Sequence, residues 1–97
     1  MLNRSEVDRL VDKAVSAALR GAEISKVYSE PAIDSDGHEA LHVTIVLKAR
    51  KKDLSGDSAL NAIVRIQRDL LKSGEERFPI VDFVTEDELK SNGDTES

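Results

Sequence analysis

From Ala40 to Arg50 the chain alternates with a period of two, placing Leu41, Val43, Ile45, Leu47 and Ala49 on one side of an extended strand and His42, Thr44, Val46, Lys48 and Arg50 on the other. A strand with one wholly aliphatic face has to be covered on that face. The turn formers Asp34-Ser35-Asp36-Gly37 stand just before it and predict a hairpin with an upstream partner, Glu23 to Ser29, whose large residues are Ile24, Val27 and Tyr28. Pro31 bars that partner from a central place in a sheet, so an edge strand is expected.

Two amphipathic segments can supply the cover. Val7, Leu10, Val11, Ala14, Val15, Ala18 and Leu19 fall at steps of three and four, predicting a helix from about Glu6 to Arg20. Ser5 with Asp8 is read as its capping box and Gly21 as its left-handed terminator. After a polar connection from Asp53 to Asp57, with Ser55 or Asp57 as cap, a second helix runs to about Gly74. Leu60, Ile63, Val64, Gln67, Leu70 and Leu71 form its expected buried stripe, widened by Ala59, Ala62 and Ile66, with Arg65, Arg68, Asp69 and Lys72 outside. Phe78 to Val84 reads as a third strand, with Pro79 at its tolerant beginning. Thr85 and Glu88 form a capping-box pattern for a short helix over Glu86 to Lys90.

The expected fold class is therefore α+β. It is an α-β-β-α-β two-layer sandwich with a mixed three-stranded sheet, both main helices on one face, and a short C-terminal helix. A right-handed crossover makes the third strand parallel to the second, and the layout is ferredoxin-like without the first strand. Residues 1–90 are expected to form one domain and 91–97 a disordered acidic tail. Residues 1–81 carry 13 basic and 13 acidic side chains, so the net charge of −5 resides wholly in residues 82–97. A neutral body disfavours general affinity for nucleic acid or anionic lipid.

The absence of cysteine removes disulfides, thiolate metal sites and a cysteine nucleophile from consideration. With an N-terminus that turns polar at once and no long apolar run, it leads to the expectation of a cytoplasmic protein without a membrane segment. No nucleophile with a base, no paired catalytic carboxylates and no glycine-rich phosphate loop can be assembled, so neither catalysis nor a cofactor is expected.

Two clusters are candidates for ligands. Asp34, Asp36, His38, Glu39 and His42 offer oxygen and imidazole donors, but a calcium loop opening at Asp34 would need a closing Glu where Ile45 stands. Turn chemistry accounts for Asp, Ser and Gly at these positions, and no metal is assigned. Lys48, Arg50, Lys51 and Lys52, with Arg65, Arg68 and Lys72 on the second helix, could meet RNA phosphates, but the strand face lacks the aromatic side chains that stack on bases. The same lysines also guard a strand end against edge pairing.

The run from Ala40 to Glu86, alternating strand, polar loop, amphipathic helix, Phe-Pro and short strand, resembles in topology the cytoplasmic C-terminal domain of cation diffusion facilitators. The resemblance covers about half the chain and implies a metallochaperone-like α-β-β-α-β fold that dimerises. Of that family's metal ligands only His38 and His42 have counterparts in residue type, neither matched to a family motif.

The functional expectation is a small non-catalytic interaction module, a homodimer or an accessory subunit of another cytoplasmic protein, such as the neutralising partner in a two-gene pair. Its expected contact residues are Tyr28, Thr44, Val46, Lys48 and Arg50, with Ile80 beside them, on a sheet face left open by the helices and along its edges. RNA binding, and metal or small-ligand sensing at Asp34 to His42, are the alternatives.

Overall fold

The computed structural model describes residues 2–48 and 55–89. The order is α1 (Arg4–Ala18), β1 (Ile24–Ile33), β2 (Glu39–Leu47), α2 (Gly56–Lys72) and β3 (Phe78–Thr85), followed by a helical turn over 86–89. The strands lie in the order β1-β2-β3, with β1 antiparallel and β3 parallel to β2. This is the expected mixed sheet, in which the slot of the missing first strand is closed by direct pairing of β2 with β3.

Helix α1 begins earlier than Ser5 and Asp8 suggest. Asn3 is the cap: its side chain accepts the Glu6 amide at 2.9 Å, and Glu6 reaches back to accept the Asn3 amide at 3.0 Å. The reciprocal pair needs a Glu three residues on, and an Asp side chain is one methylene shorter. The helix stops at Ala18, with Leu19 as C-cap, and Gly21 has no positive φ, so it is not the left-handed terminator expected of it. Gly74 (φ +93°) does take that conformation after α2, and Gly37 (φ +85°) takes it in the β1–β2 hairpin.

Strand β1 runs through Pro31 to Ile33, longer than expected but at the sheet edge. The reason lies in the register. The Asp34 amide donates to the His38 carbonyl, and Pro31 stands opposite Leu41, so alternation makes 31 a position whose nitrogen points away from β2. Proline there costs no ladder bond.

Leu41, Val43, Ile45 and Leu47 of β2 meet Val7, Val11, Ala14 and Val15 of α1 and Ala62, Ile66 and Leu70 of α2 in one aliphatic core, with Val81 and Phe83 of β3 packed against it. Helix α1 packs on β1 and α2, and α2 packs on β3. The buried stripe of α2 is narrower than the sequence suggests: Ala62, Ile66 and Leu70 are buried, whereas Leu60, Val64 and Leu71 are exposed. Residues 62, 66 and 70 lie about 140° round the helix from 60, 64 and 71 at 3.6 residues per turn, so one sheet cannot cover both sets.

One ionic cluster ties the N-terminus to the α2–β3 connection. The Glu75 carboxylate, buried at 2% exposure, accepts from the Leu2 amide (3.1 Å), the Arg77 amide (3.0 Å) and the Arg77 guanidinium (2.9 Å), and Arg77 donates in turn to the Leu2 carbonyl. The Arg77 hydrogen bonds hold the Glu75 carboxyl down to about 2, against the opposing effect of its burial. The predicted capping box at Thr85 is present: Thr85 Oγ1 accepts the Glu88 amide at 3.2 Å, and Glu88 accepts the Thr85 amide and hydroxyl at 3.3 Å.

Candidate functional site

The sheet register sorts the expected contact residues. Core-facing positions of β2 are odd-numbered, so its open face carries Ala40, His42, Thr44 and Val46, flanked in order by Ala32, Glu30, Tyr28 and Lys26 of β1 and by Phe78, Ile80, Asp82 and Val84 of β3. Thr44 and Val46 are only 6% and 1% exposed and offer almost no surface to a partner. Their cross-strand neighbours are Tyr28 and Asp82 for Thr44 and Lys26 and Val84 for Val46, and the Lys26 ammonium lies 5.2 Å from the Tyr28 ring centre. Tyr28 is half-buried, and Lys48 is exposed and 3.8 Å from Glu23. Arg50, Lys51, Lys52 and the acidic tail lie outside the described residues.

His42 bridges a row of charges on this face, with Nε2 2.6 Å from Asp82 Oδ2 and Nδ1 3.8 Å from Glu30 Oε1. Carboxylates on both sides fix the ring across three strands. The neighbouring Phe78 and Ile80 are exposed.

In the hairpin, Asp34, Asp36 and His38 bring potential ligand atoms within 4.8 Å of one another. Asp34 Oδ1 is already committed to the amides of Asp36 and His38, at 2.9 Å each, and Oδ2 is 3.7 Å from His38 Nδ1. The His38 amide, first among several donors, lowers the Asp34 carboxyl below its ordinary value. This is the turn expected from Asp-Ser-Asp-Gly, and it uses one of the Asp34 oxygens that a metal would compete for.

Among the described residues, Lys48 and the last cations of α2 do not form one patch. Lys48 follows the C-terminal end of β2, near the start of α2, whereas Arg68 and Lys72 stand in the last turns of α2, at the opposite end of the sheet. Arg68 is also 3.9 Å from Asp69.

Half of the exposed large apolar side chains lie on one flank of α2. Leu60 is 59%, Val64 52% and Leu71 72% exposed, and Gln67, which completes the 60-64-67-71 row, is half-buried. Helix α1 occupies one side of α2. With the right-handed crossover that joins parallel neighbours, the screw of α2 turns this row to the other side, above the outer edge of β3. Among the described residues β3 is the last strand of the sheet, so that edge has no sheet partner, and only the Thr85 amide at its end is taken, by Glu88. The flank thus combines an apolar helical row with a strand whose outward amides and carbonyls have no sheet partner. The sequence points to the sheet edges as contact surfaces but not to the helical row, because periodicity merges 60, 64 and 71 with 62, 66 and 70 into one wide stripe. The available signal was that apolar residues cover more than half the circumference of α2, more than one neighbouring layer can bury.

No family model, curated protein or solved structure matches this chain. No helix among the described residues is long and apolar enough to cross a membrane.

Proposed function

We propose that the protein is a small non-catalytic interaction module that works in the cytoplasm, with the α2 flank and the free edge of β3 as its contact surface. The observation that carries this reading is the row of Leu60, Val64 and Leu71, each more than half exposed, on one side of a single helix. Scattered apolar residues on a surface need no explanation, but three aligned on one flank beside an unpaired strand form a continuous surface suited to another chain. This moves the expected contact away from Thr44 and Val46 while keeping an edge strand as part of it. RNA binding has less support, because Lys48 and the α2 cations lie at opposite ends of the sheet, and metal sensing has less because the Asp34 carboxylate is engaged by the turn.

The triple variant L60S/V64S/L71S tests it. These side chains contribute little to the core, so the variant should fold, at a helix-propensity cost of about 1 kcal/mol in all. It should lose at least tenfold in association, whether measured as self-association by sedimentation or as crosslinking to other proteins in the producing cells. Association equal to that of the parent chain would remove the flank from the account.

A further inference from the structure

Resting on that reading, we infer that the occupant of the flank is a second copy of this chain, placed by a two-fold axis perpendicular to the sheet. Such an axis sets β3 antiparallel to the partner's β3, giving a six-stranded sheet ordered β1-β2-β3-β3-β2-β1. It also keeps both helical layers on the same side. One operation therefore pairs the open strand edge and brings α2 beside the partner's α2, running in the opposite direction. An isologous contact closes on itself and leaves no β3 edge free, unlike a head-to-tail contact.

Lengths, spacing and charge all suit this partner. Helix α2 has 17 residues and β3 has 8. At about 1.5 Å and 3.3 Å per residue both are near 26 Å long, so an axis through the middle of one passes close to the middle of the other. Along α2 the row 60-64-67-71 has steps of four, three and four, the spacing with which two helices interlock along a seam. In the antiparallel arrangement Leu60 faces the second copy's Leu71, and Val64 faces its Gln67. The first turn of α2 carries Asp57 and its last turn Lys72, while Arg68 is paired with Asp69 of its own helix, so Asp57 comes to the end of the partner helix that carries Lys72, and the helix dipoles oppose. Pro79 has no amide to donate and the Thr85 amide is held by Glu88, which confines the new ladder to residues 80–84.

The chain has no cysteine, so introduced thiols report on this geometry without background. The parent chain should sediment at twice its 10.7 kDa mass, and L60S/V64S/L71S at that mass itself. On mild oxidation, a mixture of L60C and L71C protomers should form a disulfide-linked dimer at least tenfold faster than either variant alone. Identical positions lie about 16 Å apart along the paired helices, too far for a disulfide. Equal crosslinking by the single variants would overturn the antiparallel pairing. A parent chain that stays monomeric at hundreds of micromolar, while L60C or L71C crosslinks to a different protein in cells, would overturn self-pairing and leave the interaction-module reading standing. Monomeric behaviour with no crosslink to any protein would overturn both.

Discussion

Replacing Glu75 with alanine is expected to destabilise the fold by about 3–5 kcal/mol, the usual loss when one partner of a buried ion pair is removed. The Glu75 side chain has no exposed surface, and that of Arg77 retains 15%. Removing the carboxylate leaves a largely enclosed guanidinium without its counter-charge and the Leu2 amide without its acceptor, while the chain loses the tie between its N-terminus and the start of β3. A fold of this size has a margin of roughly 5–15 kcal/mol, so chemical denaturation should show a greatly reduced midpoint. The same group fixes an acid limb. The Glu75 carboxyl is held near 2 in the fold against an ordinary value of 4.5. Its contribution is therefore complete above about pH 5 and is lost as pH falls towards 2, amounting to roughly 3 kcal/mol. Glu75→Gln should flatten that part of the acid-unfolding curve. An unchanged curve would show that the carboxylate does not hold this junction together.

The second large effect separates the two faces of α2. Ile66→Ala should cost about 2–5 kcal/mol, because the side chain is fully buried between α1 and the sheet and its removal leaves a cavity. Leu71→Ala, five positions on in the same helix, should change the stability of the dilute protein by no more than about 0.5 kcal/mol. Equal losses at the two positions would mean that Leu71 is packed and that the flank is not a surface. Paired urea titrations at low protein concentration decide between them.

The contrast also explains what was legible in the sequence. Strand β2 announced itself because both neighbours leave its core face uniformly aliphatic, and the Asp34 turn did so because its hydrogen bonds are local. Periodicity in α2 could show that 60, 64 and 71 are apolar, but not that α1 and the sheet reach only as far as 62, 66 and 70. That limit is set by packing between elements distant in sequence. The Glu75 cluster was hidden for the same reason, since Leu2 is 73 residues away and Glu75 and Arg77 alone look like ordinary loop charges. Thr44 and Val46 alternate as open-face residues should, and their burial depends on neighbours from β1 and β3, which are distant in sequence. Asn3 displaced Ser5 as the cap because a reciprocal bond needs the longer Glu6 side chain.

Backbone exchange along β3 tests the contact surface most directly. In an unpaired edge strand, the outward amides exchange freely while the inward ones are protected by β2. Hydrogen–deuterium exchange, followed by residue at high and low protein concentration, should show the outward amides of Val81 and Phe83 protected only at high concentration, the Thr85 amide being held by Glu88 in either state. That protection should disappear in L60S/V64S/L71S. Outward amides that exchange equally fast at every concentration, with a partner present or absent, would contradict the assignment of the α2–β3 flank as the surface through which this protein acts.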